Sequence, residues 1–341
     1  MKKEAIGSFS TDVLHSAARL YNISHTTLKE LAGFENFIYG GMINEKEVVL
    51  RLCHSTHRNM KQIEAELDWL LFLKNNGAAV CGPVFSNNNS LVEEVIATDQ
   101  SSFFVSVFEK AKGKQIILEE NRDNTALFYN WGKSTGQLHK ITKQYTPSPS
   151  IKKRDDYMEM SSTVFATYLP DDGDVKQEVT MLFDEITSLL KTEETYLLTH
   201  TDLHSGNFFY DNDRLWIFDF DDCSYHYIIH DLAMPLYYST WQFNETEDEK
   251  TIFANKFMTT YVAGYLSEQN LPLEELKKLP LFMRLRDCDL YAILHFEWAD
   301  KQLNEKQKKL LLDMKERILS RKPVVDLDYE EVLRIAKQFE K

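Results

Sequence analysis

The chain has 341 residues, of which 43% are hydrophobic and 12% aromatic, so it can bury one large or two modest cores and is not a disordered protein. Its formal net charge of −14, from 53 acidic and 39 basic residues, argues against general nucleic-acid binding. Such a charge is ordinary for a soluble protein, although it would also favour cationic partners. The four cysteines contain no C-x-x-C pair, which predicts buried or free thiols in a reducing compartment.

The N-terminus and the apolar runs bear on location. Charged residues follow the initial Met, but no apolar segment comes behind them, so we expect no signal peptide. The longest apolar runs, such as Phe103–Phe108, are far too short to span a bilayer. The expectation is therefore a soluble, cytoplasmic protein without a membrane segment.

The first third of the chain is predicted to form a small sheet with two helices. Apolar residues at helical spacing predict helices over 11–21 and 59–75. Short apolar or alternating runs between turn residues predict six strands, the first three antiparallel, over 26–32, 36–43, 47–52, 80–84, 90–97 and 102–109.

Beyond the last predicted strand the pattern becomes helical. We place a lobe boundary at Lys110–Gly113, which gives an N-terminal lobe of residues 1–110 and a C-terminal lobe of residues 111–341. Apolar spacing in the second lobe predicts helices over 125–140, 155–168, 176–191, 231–241, 249–269, 274–279, 281–302, 306–321 and 329–339.

The densest group of polar residues lies in Leu197–Asp222, between two apolar runs. The spacing of His200, Asp202 and Asn207 matches the kinase catalytic-loop pattern H-x-D-L-x-x-x-N, and a predicted strand ending at Asp219 follows. A carboxylate in this position can orient an acceptor hydroxyl and take its proton. An amide oxygen and a second carboxylate can hold Mg²⁺, which prefers oxygen ligands.

The turn Asp211-Asn212-Asp213-Arg214 predicts a hairpin with strands over 207–210 and 215–218. The open end of that hairpin would bring Asn207 and Asp219 together. An EF-hand calcium loop is a poor alternative for this acidic turn, because no Gly or terminal Glu falls where that loop needs them.

The segment HTDLHSGNFF, followed by LWIFDFDDCSYHYIIHDLA, resembles the aminoglycoside phosphotransferase / choline kinase-like family. That family commonly reads H-x-D-x-H-x-x-N in this loop. Thr201 stands where the family often has Gly, and we expect no cost from the exchange. The resemblance extends from about Leu31 to about Asp300. It implies an α+β, protein kinase-like fold, in which a small antiparallel-sheet lobe precedes a mainly helical lobe.

The resemblance also implies where a nucleotide binds. Gly33 and Asn36 belong to a G-x-x-N-x-x-Y segment that is similar to the nucleotide loop of the family. The backbone at Glu109 and Ala111, where a strand leaves the sheet, is implied to contact adenine.

Arg51 is a lone cation in the apolar strand Val48–Leu52, where a charge is costly unless it is paired. Kinases place a phosphate-binding Lys at this position, and the resemblance implies the same role for Arg51, with a planar fork instead of a point charge. Its implied partner is Glu66 on the following helix, with Glu64 as the alternative.

The activity implied is ATP-dependent transfer of a phosphoryl group to a hydroxyl, assisted by Mg²⁺. Asp202 would be the catalytic base, and Asn207 and Asp219 would hold the metal. Asp231, in the D-L-A segment, and His200 would brace the catalytic loop without touching the substrate.

Two neighbouring polar residues have open roles. Asp221 either adds to the metal site or caps the next turn, and the cap is favoured. His204 either contacts a phosphate or metal ligand, or packs and donates to the backbone, and the packing role is favoured. His139, at the end of a predicted helix, is expected to pack rather than bind a ligand.

The acceptor is the least specified part of the prediction. Acidic and aromatic residues of the helical lobe would suit an amine-bearing small molecule, such as an aminoglycoside, a choline-like molecule or an amino alcohol. The acidic candidates are Asp287, Asp289, Glu297, Asp300 and the segment 241–250, and the aromatic candidates are Tyr237, Tyr238, Trp241 and Trp298.

Three other functions fit the pattern less well. A protein Ser/Thr kinase of the same fold is disfavoured because the chain has no A-P-E-like segment. A nucleotide-binding pseudo-kinase would have lost Asp202 or Asn207, and both are present. A metal-dependent hydrolase would have no use for the hairpin from Gly33 to Arg51. The oligomeric state is not predicted.

Overall fold

Residues 2–243 and 246–339 are described by a computed structural model. The strands are β1 (Lys29–Leu31), β2 (Phe37–Ile43), β3 (Lys46–His54), β4 (Pro83–Val84), β5 (Val92–Ile96), β6 (Ser102–Glu109), β7 (Tyr196–Thr199), β8 (Phe208–Asp211), β9 (Arg214–Ile217) and β10 (Ser224–Tyr227).

The helices are α1 (Lys3–Ser8), α2 (Thr11–Leu20), α3 (Met60–Asn75), α4 (Thr125–Thr142), α5 (Tyr157–Tyr168), α6 (Gly173–Thr187), α7 (Ile228–Thr240), α8 (Glu247–Leu266), α9 (Leu273–Leu276), α10 (Leu279–Trp298), α11 (Glu305–Ser320) and α12 (Tyr329–Ala336). An antiparallel sheet near the N-terminus and a mostly helical remainder confirm the predicted α+β class.

The chain divides into two compact units. The first contains the residues up to Gly113 together with Tyr145–Arg154 and Trp216–Asp221, and the second contains the remainder. Two short segments from beyond residue 113 thus belong to the first unit. Arg154 helps to hold them there, because it donates hydrogen bonds to the carbonyl oxygens of Gln62 and Asp221.

The first unit is built on a six-stranded antiparallel sheet with the order β1-β2-β3-β6-β4, and β5 also pairs with β6. Side chains alternate across each strand. Leu50 and Leu52 of β3 therefore pack with α2 on one face of the sheet. Arg51 and Cys53 lie on the other face, where α3 packs. Strand alternation thus turns the cation of β3 toward α3.

Both tight hairpins use a pair of residues with positive φ. Asn44 and Glu45, between β2 and β3, have φ of 48° and 67°, and Asn212 and Asp213, between β8 and β9, have φ of 47° and 61°. Two consecutive left-handed residues are typical of the turn whose twist matches that of paired strands. The predicted hairpin turn at 211–214 is therefore present.

Helices α4 and α8 of the second unit approach each other closely enough to require glycine. A Cβ atom at Gly132 would lie 1.8 Å from the carbonyl oxygen of Tyr261, and one at Gly264 would lie 1.9 Å from that of Tyr129. No larger residue fits at either position without moving a backbone. This close crossing brings side chains of α8 against His139 of α4.

The structure differs from the predicted elements in three places. The strand predicted over 26–32 is a 3₁₀ turn followed by the short β1, because Thr27 bonds its hydroxyl to the carbonyl of Ser24 and so competes with strand pairing. Helix α1 has too few apolar residues to be predicted. The strand β10, which pairs with β7, lies in a segment for which the sequence analysis predicts no element.

None of the described helices is long and apolar enough to cross a membrane. All four cysteines are buried and none is in a disulfide, as the sequence predicts.

Candidate active site

In the first unit, Arg51 and Glu66 form a buried ion pair. The two guanidinium Nη atoms lie 2.8 and 2.7 Å from the two carboxylate oxygens, and the side chains are 5% and 1% exposed. Burial alone would lower the pKa of Arg51, but Glu66 reverses the effect and raises it. The alternative partner, Glu64, makes no ion pair with a described residue.

Helical spacing explains the choice between the two glutamates. Glu66 lies on the same face of α3 as Ile63 and Leu67, which pack against Cys53 of the sheet. Glu64 lies on another face and is only half-buried. The fork geometry gives two parallel charge-assisted hydrogen bonds, which fixes the plane of the guanidinium.

Asp221 gathers three further cationic or ionisable side chains in the first unit. Its Oδ2 lies 2.6 Å from His57 Nε2, and its Oδ1 lies 3.6 Å from Arg58 Nε and 3.9 Å from Arg51 Nη1. Burial would raise the pKa of Asp221, but Arg58 and then His57 hold it well below its ordinary value. Its carboxylate makes no hydrogen bond to the next turn within the described chain, so the favoured cap is wrong.

The predicted nucleotide-loop residues lie next to this cluster or in exposed loops of the same unit. Asn36 is buried, with Nδ2 3.5 Å from Asp221 Oδ2. Gly33 is exposed, and a Cβ atom there would lie 2.3 Å from the carbonyl oxygen of Asn36, so the turn requires glycine. Glu109 ends β6 and pairs through its side chain with Lys74 at 2.8 Å. The N–H of Ala111 donates no hydrogen bond to any described residue.

In the second unit, Asp231 anchors the backbone of the catalytic loop. Its carboxylate accepts hydrogen bonds from the N–H groups of His200 and Thr201, at 3.0 and 2.7 Å. His139 Nε2 lies 3.0 Å from the same carboxylate, and His139 Nδ1 lies 3.0 Å from the hydroxyl of Tyr265 on α8. The loop is thereby fixed to α4 and α8 through one buried carboxylate.

Thr201 is held in a left-handed conformation, with φ of 68°. A β-branched residue is disfavoured in that region, and such a conformation costs about 1–3 kcal/mol. The expectation that Thr carries no cost at this position is therefore wrong. The bond from Thr201 N–H to Asp231 and that from its hydroxyl to the carbonyl of Asp222, at 2.8 Å, help to offset the cost.

We expect Asp231→Asn to destabilise the protein by about 3–5 kcal/mol at pH 7, because an amide cannot accept from every donor that faces the buried carboxylate. Burial would raise the pKa of Asp231, but the hydrogen bond with His139 lowers it, and the net result is a pKa below the ordinary value. A carboxylate with a depressed folded pKa stabilises fully above its unfolded pKa of about 3.9 and loses that contribution as the pH falls through the folded value.

The difference in unfolding free energy between wild type and Asp231→Asn should therefore shrink below about pH 4. Urea unfolding at several pH values measures it, with the exposed Asp184→Asn on α6 as the control that should match wild type. A difference that stays constant down to pH 3 would contradict the assigned charge state.

Asp202 is engaged at both carboxylate oxygens. Oδ1 accepts a hydrogen bond from Arg286 Nη2 at 2.8 Å, and Oδ2 lies 3.3 Å from Asn207 Nδ2 and 3.3 Å from His204 Nε2. Burial would raise the pKa of Asp202, but Arg286 and then His204 lower it to about 2. The carboxylate is thus ionised at neutral pH, as a proton acceptor must be.

Arg286 on α10 is the main residue that the sequence analysis missed in this part of the chain. It is separated from Asp202 by 84 positions and carries no motif. Its guanidinium also donates to the hydroxyl of Tyr238 through Nε at 2.9 Å and lies 5.1 Å from the centre of the Tyr238 ring. Helix α10 also carries Arg284, Asp287 and Asp289, so no signal in the sequence singles out Arg286.

His204 takes neither of its expected roles in full. Its Nδ1 accepts a hydrogen bond from the N–H of Gly206 at 3.0 Å, which leaves Nε2 to carry the proton of the neutral ring and to face Asp202. It therefore accepts from the backbone rather than donating to it. Its ring centre lies 4.6 Å from that of Tyr238.

The donor set at Asn207 suits a hard cation. The Asn207 amide donates to the carbonyl oxygen of Asp202 at 2.9 Å, and its own Oδ1 accepts no hydrogen bond from a described residue. Asp219 has a φ of 63°, a left-handed conformation of the kind found at functional sites. Among residues 2–243 and 246–339, no group of three or more His, Cys, Asp or Glu side chains is arranged to hold a metal ion.

Two of the acidic residues predicted for the acceptor pocket are occupied elsewhere. Asp287 is buried and accepts from Arg317 at 2.6 and 2.8 Å and from the Tyr237 hydroxyl at 2.7 Å. Asp289 is buried and accepts from the hydroxyl of Tyr157 at 2.5 Å. These carboxylates are not presented to an acceptor, and burial raises the pKa of Asp289 to about 6. Part of the segment 241–250, Asn244 and Glu245, lies outside the described residues.

Comparison with known proteins identifies relatives of this arrangement. The profile of the phosphotransferase enzyme family, APH, matches residues 30–271. Amicoumacin kinase of Bacillus subtilis (strain 168) is 33% identical over 318 residues, which cover 93% of this chain and 94% of the relative.

Two solved structures are also similar. Amicoumacin kinase hAmiN in complex with AMP-PNP, Ca²⁺ and Ami superposes with a TM-score of 0.91 at 30% identity, over 97% of this chain and 100% of the other. The microcompartment-associated aminopropanol kinase superposes with a TM-score of 0.74 at 21% identity, over 91% and 98% of the two chains, which shows a shared fold.

Proposed function

The chain belongs to the phosphotransferase enzyme family and is an ATP-dependent phosphotransferase of small molecules, and we propose that its acceptor is amicoumacin or a molecule of closely similar chemistry. The observation that carries the acceptor is the likeness to amicoumacin kinases over nearly the whole of both chains, in sequence and in structure. The alternative of a protein Ser/Thr kinase finds no support in these comparisons.

We propose that the N-terminal lobe, residues 1–110, binds the nucleotide. Arg51 would donate to the ATP phosphates, with Glu66 holding the guanidinium in place. Two features support this role: the pair is buried, and Arg51 Nε is a buried donor that has no hydrogen-bond partner among the described residues. Gly33 and Asn36 would line the phosphate loop, while the backbone of Glu109 and the unused N–H of Ala111 would meet adenine.

We propose Asn207 and Asp219 as the protein ligands of Mg²⁺. The Asn207 amide directs its N–H to Asp202 and keeps an oxygen available, which is the donor type that Mg²⁺ prefers. Two protein oxygens are too few for a site of their own, so phosphate oxygens of the nucleotide would complete the coordination. When bound, Mg²⁺ supplies positive charge that neutralises the phosphate oxygens.

We expect Mg²⁺ to strengthen AMP-PNP binding at least about tenfold relative to binding in EDTA, because the cation is shared between nucleotide and protein. Asn207→Ala should lose most of this gain, while Asn255→Ala on α8, a change of the same size away from the site, should keep it. Calorimetric titration with AMP-PNP measures both. Equal affinity with and without Mg²⁺ in wild type would contradict the proposed ligands.

Asp202 is the proposed base. The acceptor hydroxyl would donate a hydrogen bond to the Asp202 carboxylate. As the hydroxyl oxygen attacks the γ-phosphorus, the hydroxyl proton passes to Asp202. The bond between the γ-phosphorus and the bridging oxygen breaks at the same time, and ADP leaves. A base with a low pKa suits this reaction, because its transition state is loose and the proton moves late. The anchored loop, through Asp231 and His200, holds Asp202 in a fixed position.

The acceptor is tested by ADP release with ATP, Mg²⁺ and a panel of hydroxyl compounds. The panel contains amicoumacin, kanamycin, choline, ethanolamine, 1-amino-2-propanol and a basic protein as the protein-kinase control. Amicoumacin is expected to stimulate turnover far above the background and above every other compound. A panel in which another member stimulates and amicoumacin does not would overturn the proposed acceptor and leave the reaction class standing.

A further inference from the structure

A patch of partly exposed side chains in the second unit surrounds the Asp202 carboxylate. Helix α7 is buried along its whole length except at Tyr238, which is half-exposed. Tyr238 contacts the ring of His204, and Trp241 follows with its ring centre 5.7 Å from that of Tyr238. We call the set Asp202, His204, Tyr238, Trp241 and Arg286 the acceptor surface.

Arg286 is fixed in its position on this surface. Its Nε and Nη2 donate to the Tyr238 hydroxyl, its Nη2 also donates to Asp202, and its guanidinium lies over the Tyr238 ring. Its Nη1 donates to no described residue. The side chain is 14% exposed, so Nη1 lies at a partly open position of this surface. An oxygen acceptor of a ligand could bind its N–H groups there.

The charge on the acceptor surface is set by very few groups. Asp202 is negative and Arg286 is positive, while His204 carries its proton on the nitrogen that faces Asp202. The nearest other carboxylates on α10, Asp287 and Asp289, are buried and hydrogen-bonded to other partners. The acceptor surface therefore offers no surplus negative charge to hold an ammonium group, and an ammonium group placed beside Arg286 would be repelled by the guanidinium.

We propose that Arg286 is a specificity-determining residue that binds, through Nη1, a carbonyl or carboxylate oxygen of the acceptor next to the hydroxyl that is phosphorylated. The inference rests on the proposed function, because it takes Asp202 to be the group that meets this hydroxyl. The hydroxyl must approach Asp202, so the adjoining part of the acceptor comes within reach of Nη1 of Arg286, whose N–H groups are not used by a described residue. This selects an oxygen-bearing acceptor and disfavours one whose only polar neighbour is an ammonium group.

The test is amicoumacin binding to the nucleotide-free enzyme by calorimetry, together with steady-state kinetics. Arg286→Gln should raise the Kd and KM for amicoumacin roughly 10- to 100-fold, the loss of a charged hydrogen bond, with a smaller change in kcat and none in the KM for ATP. Arg286→Lys keeps the charge but not the planar fork, so its Kd and KM for amicoumacin should lie between those of wild type and those of Arg286→Gln. Arg284→Gln is the matched control, because it removes the same charge from the same helix. The carboxylate nearest to Arg284 is that of Glu185, at 3.8 Å, so this variant should behave as wild type.

The outcomes separate this inference from the proposed acceptor. If Arg286→Gln binds amicoumacin as tightly as wild type, or loses kcat alone, the inference is overturned and the proposed acceptor stands. If choline or 1-amino-2-propanol binds to the enzyme as tightly as amicoumacin does, the inference is also overturned. Wild type that does not bind amicoumacin would overturn the proposed acceptor and this inference together.

Discussion

Replacement of Asp202 by Asn is expected to lower kcat roughly 10²- to 10⁴-fold, the usual contribution of a positioned general base, with the affinity for ATP unchanged. The substitution keeps the size of the side chain and one acceptor oxygen, which can still accept from Arg286 or from Asn207 but not from both, and it removes the proton acceptor. It also removes the carboxylate partner of a half-buried guanidinium, so a modest loss of stability should accompany the kinetic effect.

Asp211→Asn, in the hairpin turn of the same unit, is the matched control, because its carboxylate bonds only to its neighbour Asn212 at 2.9 Å. Single-turnover kinetics with saturating acceptor isolate the chemical step from product release. A variant at position 202 that retains wild-type kcat would show that another group takes the proton.

Loss of one partner from the buried Arg51–Glu66 pair should affect stability as strongly as Asp231→Asn does. Glu66→Gln leaves a guanidinium that is 5% exposed with only the more distant carboxylate of Asp221, at 3.9 Å, which should cost about 3–5 kcal/mol of unfolding free energy. Removal of the support for Arg51 should also weaken ATP binding. Glu64→Gln, two positions earlier on α3, is the matched control and should leave both quantities unchanged.

A double substitution separates folding from binding. Arg51→Met with Glu66→Leu removes both charges together, and replacement of a buried ion pair by apolar residues is often neutral or stabilising. This variant should unfold at or above the wild-type urea midpoint, yet fail to bind ATP. A double variant that still binds ATP normally would contradict the phosphate-binding role of Arg51, whatever its stability.

Local patterns predicted a large part of the fold and of the candidate site. The alternation of β3 and the helical spacing of α3 depend only on near neighbours in the sequence and give each element its faces. The pairing of Arg51 with Glu66 rather than Glu64 was implied by the resemblance to the family. The hairpin after Asn207 follows from its turn residues for the same reason. The bracing of the catalytic loop by Asp231 was predicted from the resemblance of the H-x-D and D-L-A segments to those of the family, because members of a family share such geometry.

The rest depends on contacts between residues far apart in the chain. Arg286 meets Asp202 across 84 positions, and Asp221 meets His57 across 164 positions, and neither pair has a spacing that a pattern could reveal. The cost at Thr201 was missed because a backbone conformation cannot be read from the residue type alone. The number of carboxylates available to the acceptor was overestimated, because the burial of Asp287 and Asp289 depends on tertiary packing.

The central claim is that the enzyme moves the γ-phosphoryl group of ATP to a hydroxyl of amicoumacin with Asp202 as the base. Mass spectrometry of amicoumacin after incubation with enzyme, Mg²⁺ and ATP tests it most directly. The expected product carries one added phosphoryl group with wild-type enzyme, forms in step with ADP, and is almost absent with Asp202→Asn. ADP release that leaves amicoumacin unmodified, or equal product from the variant, would contradict the account.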